Sequence, residues 1–155
     1  MAVPENLHQI MSALRRIKCV HLKGSAAQPE PAWQLTGEGS VQVETLPSGL
    51  LLREKGQLIR DQVTLNYQAS WTMEADGDQI LWLGHARTGT PVRLLTLRPE
   101  PDGGWVSPRP HICGADQYEA ALHLQADAVQ LRWHVRGPGK CHTLYRHFTP
   151  TPLNR

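Results

Sequence analysis

What the chain lacks narrows its function first. No run approaches the roughly 18 consecutive apolar residues of a membrane-crossing helix, and Met1 to Met11 has neither a basic start nor a long apolar stretch. No membrane partner and no secretory leader are therefore expected, and the protein is expected in the cytoplasm. Cysteine is scarce: Cys19, Cys113 and Cys141 leave an odd count and contain no C-x-x-C pair, which argues against a disulfide framework or a zinc knuckle and predicts reduced thiols. Charge of one sign is scarce too. The formal net charge is +2, and basic residues gather only at Arg15, Arg16, Lys18 and Lys23, so counterion release from a nucleic acid would be modest and no nucleic-acid partner is expected. The G-x-S-x-G nucleophile turn, the H-E-x-x-H zinc helix and the P-loop are all missing, so neither a cofactor nor a metal is expected. There is no internal repeat, linker or low-complexity tract to divide the chain, and residues 1–155 are read as one domain.

Turn punctuation is what the chain has in quantity. Twelve prolines and thirteen glycines separate short alternating runs, the pattern of an all-β sandwich or barrel. A helix over residues 4–14 is the exception. Pro4 suits a first turn, and Leu7, Ile10, Met11 and Leu14 form one apolar stripe suited to covering the end of a barrel. Strands are expected from Arg16 to Leu22, Ser40 to Leu46, Leu50 to Glu54, Gln57 to Trp71, Gln79 to Arg87 and Pro91 to Arg98. Loops are expected at Gly24 to Pro31 and Pro99 to Pro110. In the run from Gln57 to Trp71, Val63, Leu65, Tyr67, Ala69 and Trp71 share one face.

The last third allows register to be read. Tyr118, Ala120, Leu122 and Leu124 alternate with polar residues, as do Val129, Leu131, Trp133 and Val135. A two-residue loop at Ala126-Asp127 sets every inward residue of one run against an inward residue of the next, and a one-residue slip would spoil this. For the following hairpin, proline's fixed φ excludes a type I′ turn at Pro138-Gly139, and a four-residue loop, Gly137 to Lys140, is expected instead. Arg136 then pairs with Cys141, Val135 with His142, Trp133 with Leu144, Leu131 with Arg146, and Val129 with Phe148. A three-residue loop would turn Tyr145 inward in place of Arg146.

This register gathers Asp116, Tyr118, Lys140 and His142 at one barrel end, with His111 and Cys113 nearby in sequence and Arg146 deeper. Barrel mouths are where small molecules bind. Asp116, Tyr118 and either His111 or His142 could move protons as acid and base. Structurally, Asp116 could equally cap the turn after Gly114-Ala115 and Tyr118 could fill the barrel end. His111, Cys113, Asp116 and His142 could in principle hold a metal, although His123 and His134 fall on outward faces. A buried Arg146 needs a partner, which could be Glu54, an internal carboxylate such as Asp116, or a ligand carboxylate.

The segment H-x-C-x-x-D-x-Y (His111, Cys113, Asp116, Tyr118), then W-x-V-x-G-P-x-K (Trp133, Val135, Gly137, Pro138, Lys140), then Tyr145-Arg146, resembles a family of uncharacterised bacterial and fungal domains with a calycin-like barrel. More loosely, Gly37-Glu38-Gly39, Glu54-x-Gly56, Tyr67 and Trp71 extend the resemblance over the chain after about residue 33. It implies a calycin-like antiparallel barrel of about 8–10 strands. Where calycins commonly carry Gly-x-Trp under a late arginine, the first strand here has Ile17, Cys19 and Val20.

The leading expectation is a barrel that binds a small, largely apolar molecule with one polar or anionic group. Trp71, Trp82, Trp133 and Tyr118 would form the apolar wall, and His111, Asp116, Lys140, His142 and Arg146 would orient the ligand. The alternatives are an isomerase or cyclase using Asp116, Tyr118 and a histidine, a His-based metal or haem binder, and a homodimer joined through an exposed face bearing Leu81, Leu83, Leu95 and Leu97.

Overall fold

A computed structural model of the protein describes residues 6–28, 32–101 and 103–152. The expected helix start at Pro4 lies outside them. Helix α1 (Leu7–Arg16) begins behind Asn6, whose side chain accepts a hydrogen bond from the Gln9 amide at 2.8 Å while the Gln9 side chain accepts from the Asn6 amide at 3.1 Å. This reciprocal cap satisfies two amides that the first turn would leave unpaired. Leu7, Ile10, Met11, Ala13 and Leu14 are buried, and Arg15 and Arg16 lie at the end where the helix dipole favours cations.

Eleven strands follow: β1 (Cys19–Gln28), β2 (Trp33–Leu46), β3 (Gly49–Arg60), β4 (Val63–Asp76), β5 (Ile80–His85), β6 (Val92–Pro99), β7 (Trp105–Val106), β8 (His111–Cys113), β9 (Asp116–Gln125), β10 (Ala128–Gly137) and β11 (Lys140–Thr149). Every strand pairs antiparallel with its neighbour, β7 pairs with β9, and β11 pairs with β1, which closes a ten-stranded barrel. β8 lies outside the ring, bonded among the described strands to β9 alone. This closed up-and-down arrangement is consistent with the calycin-like architecture.

The structure redraws several expected boundaries. β1 runs on through Gly24 to Gln28, part of which was expected as loop. The run from Gln57 to Trp71 is not one strand, because Asp61 and Gln62 (φ 51 and 66) make a two-residue hairpin between Arg60 and Val63. Both turn residues have the left-handed backbone of a type I′ turn, but neither is the glycine that usually advertises one. The stretch expected as loop from Pro99 to Pro110 contains β7, whose two residues complete the ring.

Both late hairpins have the expected register. Leu124 faces Val129, Leu122 faces Leu131, Ala120 faces Trp133 and Tyr118 faces Val135. Val135 faces His142, Trp133 faces Leu144 and Leu131 faces Arg146. The ladder extends one pair further than expected, to Gly137 and Lys140, so Pro138-Gly139 alone forms the loop. Parity is unchanged: Arg146 is buried and Tyr145 is exposed.

Leu81, Leu83, Leu95 and Leu97 are all buried in the core with Trp105, Leu122 and Phe148. They face the barrel interior and supply no outer surface for a dimer, which corrects the sequence expectation. The reason is alternation: Ile80 and Trp82 are partly exposed, and Leu81 and Leu83, which alternate with them, point inward.

The barrel is laced unevenly. At the helix end, the Lys18 amide donates to the Thr149 carbonyl and the Val41 amide to the Lys18 carbonyl, which binds the start of β1 to its neighbours. At the opposite end β5 pairs with β4 only from Thr72 to Asp76, so among the described strands residues 63–71 of β4 pair with β3 alone. β6 in turn meets β7 only at Arg98 and Pro99. The wall therefore parts between the β4 edge and the β8–β9 pair.

Candidate functional site

A cavity of about 530 Å³ occupies this parting. From β4 it is walled by Gln68, Ala69, Ser70 and Trp71. At the end of β5 it meets His85 and just beyond it Arg87, and on β6 it meets Leu94. Across from these stand His111 and Cys113 of β8, Tyr118 of β9, Trp133 of β10, and Leu144 and Arg146 of β11. Strand alternation explains the selection, since Trp133 pairs with Leu144 and Tyr118 with Val135 on the inward face of consecutive strands.

Aromatic rings form one wall. Trp71 meets Trp133 nearly edge-on with centroids 5.5 Å apart, Trp133 meets Tyr118 at 5.6 Å, and Tyr118 meets His111 at 6.1 Å. These are separations at which ring quadrupoles attract. The indole Nε1 of Trp71 is buried and has no hydrogen-bond partner among the described residues.

Behind the aromatic wall lies a buried charge pair. Arg146 Nε donates to Glu54 Oε2 at 2.8 Å, and the Tyr67 hydroxyl donates to Glu54 Oε1 at 3.1 Å. Both carboxylate oxygens are satisfied, the condition under which a buried ion pair persists. Of the partners open to Arg146 from sequence, Glu54 is the one it meets. Burial, and next the charge of Glu54, push the Tyr67 hydroxyl pKa well above its ordinary 10. Gly39 makes room for this phenol, because a Cβ there would stand 2.8 Å from the Tyr67 hydroxyl oxygen. The Arg146 guanidinium also lies 4.7 Å from the Trp71 ring centre. A late arginine thus packs over a tryptophan after all, but the tryptophan comes from β4 and not from the first strand.

Of the residues singled out from sequence, Trp71, His111, Cys113, Tyr118, Trp133 and Arg146 line the cavity. Asp116, Lys140, His142 and Trp82 lie outside its walls. Asp116 accepts from Lys140 Nζ at 2.9 Å across the barrel end, and this hydrogen bond raises the lysine's pKa. His142 stacks at 5.9 Å on Trp33, with its pKa lowered by burial and then by Lys140. Trp82 faces away from the barrel interior, with Arg93 5.1 Å from its ring. Consequently Asp116, Tyr118 and His142 do not meet in one chamber, and the acid/base constellation reduces to Tyr118 with His111. Among the described residues no group of three or more His, Cys, Asp or Glu side chains is placed to hold a metal ion.

The sequence reading overlooked His85, Arg87 and Ser70. The Ala86 amide donates to Ser70 Oγ at 2.9 Å, which ties the segment after β5 to the open β4 edge and brings His85 and Arg87 to the cavity. No motif marks them, and only the shortness of β5 exposes the site they border.

Fold and cavity together define a class: a closed antiparallel β-barrel, open at one side into an aromatic chamber backed by a buried Arg–Glu pair. Residues 20–150 match a family described as a family of unknown function, DUF6314, and the chain belongs to that family. No curated protein and no solved structure matches the chain.

Proposed function

We propose that the protein binds a small, largely apolar molecule bearing one polar or anionic group. One observation carries this reading. The chamber combines Trp71, Trp133, Tyr118 and Leu144 with the basic or donor groups of Arg87, Arg146, His85 and His111, and among the described residues no carboxylate lines it. Its volume falls within the roughly 300–1,000 Å³ range of small-molecule sites, and an apolar wall with a few convergent polar groups is the usual composition of such a site.

The reading is tested with the neutral, environment-sensitive dye Nile red. Saturable binding to the full chain with one site is expected, and Ala69→Phe should abolish it by filling the chamber beside Trp71. A thermal melt close to that of the parent protein would show that the variant still folds. Absence of saturable binding, or undiminished binding by a folded A69F variant, would overturn the reading.

A further inference from the structure

Resting on this ligand-binding reading, we propose that the chamber's anion subsite lies at its rim, on Arg87 and His85. It would accept the carboxylate of an aromatic monocarboxylic acid whose ring lies inward against Trp71, Trp133 and Tyr118.

Depth alone favours Arg146 as the anion receptor, but its charge is already compensated, because Glu54 holds it at 2.8 Å inside the barrel wall. A second carboxylate there would compete with one that two partners already fix. Arg87 differs in each respect. It is exposed, it borders the chamber, and it forms no ion pair with any described residue. His85 stands beside it. The His85 Nδ1 accepts from the Arg87 amide at 3.4 Å, which leaves Nε2 to carry the proton and donate. His111 and Tyr118 face the same space from β8 and β9. The rim therefore offers donors and one full uncompensated positive charge.

Charge matching then selects the ligand class. A carboxylate carries one negative charge and accepts charge-assisted hydrogen bonds from a guanidinium in matching planar geometry. A phosphate monoester is nearly doubly charged at neutral pH and would leave about one charge uncompensated beside a mostly apolar wall. The body of the ligand follows from the rings. Trp71 is buried at the back of the chamber whereas Arg87 is exposed, so an aromatic acid enters ring first and leaves its carboxylate at the rim.

Isothermal titration calorimetry of the full chain with 2-naphthoate, 2-naphthamide and 2-naphthyl phosphate tests this. Naphthoate is expected to bind about tenfold more tightly than the amide, the margin between charge-assisted and neutral hydrogen bonds, and Arg87→Gln should bring the two to near parity. Naphthyl phosphate should bind more weakly than naphthoate. Equal affinities for acid and amide, a preference that survives R87Q, or tighter binding of the phosphate would each overturn the rim subsite while leaving the chamber's ligand-binding role intact. If none of the three probes binds, the ligand-binding reading itself fails and the subsite with it.

Discussion

The carboxylate of Glu54 sits among apolar side chains, yet Arg146 and Tyr67 between them satisfy both its oxygens, so its energetic weight depends on keeping all three residues together. Replacing Glu54 with alanine would strand the arginine charge inside the barrel, at an expected cost of about 3–5 kcal/mol in urea denaturation. The double variant Glu54→Met, Arg146→Met removes both charges and should recover most of that loss. A double variant no more stable than E54A would show that the pair does not act as a unit. The same logic explains what could be read at this scale. An inward Arg146 follows from the register of the last hairpin, and the need for a partner follows from desolvation. Which partner it finds depends on a strand 92 residues away in sequence.

Among the strands, legibility tracks how each turn is encoded. The hairpins of β9, β10 and β11 could be read because the runs of β9 and β10 alternate strictly and because a change of parity in the last loop would turn Leu144 and Phe148 outward. Gly137-Pro138-Gly139-Lys140 illustrates this: the loop is shorter than expected, yet every pairing beyond it is preserved. The β3–β4 hairpin could not be read, since Asp61 and Gln62 adopt positive φ without a glycine and the stretch from Gln57 to Trp71 holds no glycine or proline to mark a turn. Elsewhere glycine acts through space and not through φ. Gly56 pairs with Gly39 on one side and Tyr67 on the other, and a Cβ on Gly56 would collide with the Glu38 carbonyl and the Gly39 Cα, both of them backbone. Backbone cannot rotate away as a side chain can. Gly56→Ala should therefore push β2 from β3 and lower stability by about 1–3 kcal/mol, as other overpacking does. A denaturation midpoint equal to that of the parent would refute the close approach.

For the whole molecule, the decisive feature is that the barrel is laced completely at one end and only partly at the other. α1 covers the laced end with five buried side chains, while β4 extends past β5 and leaves Val63 and Leu65 exposed beyond the core. Amides of residues 63–69 on β4 should accordingly exchange with solvent deuterium before those of residues 50–54 on β3, which is paired on both sides. Equal protection of the two segments would mean that the slit is closed in solution. The cavity is a property of this scale alone. Its walls come from β4, the end of β5 and the segment after it, β6, β8, β9, β10 and β11.

The sequence by itself determined the all-β character, the covering helix, the register of the final three strands and the inward placement of Trp133 and Arg146. Each of these follows from periodicity, turn length or the cost of burying a charge, and all act over a few residues. Tertiary structure alone decided that Glu54 neutralises Arg146, that Trp82 and Asp116 stay outside the chamber, and that His85 and Arg87 border it. Those outcomes depend on how far each strand overlaps its neighbour around a closed ring, a quantity that no local stretch of the chain encodes.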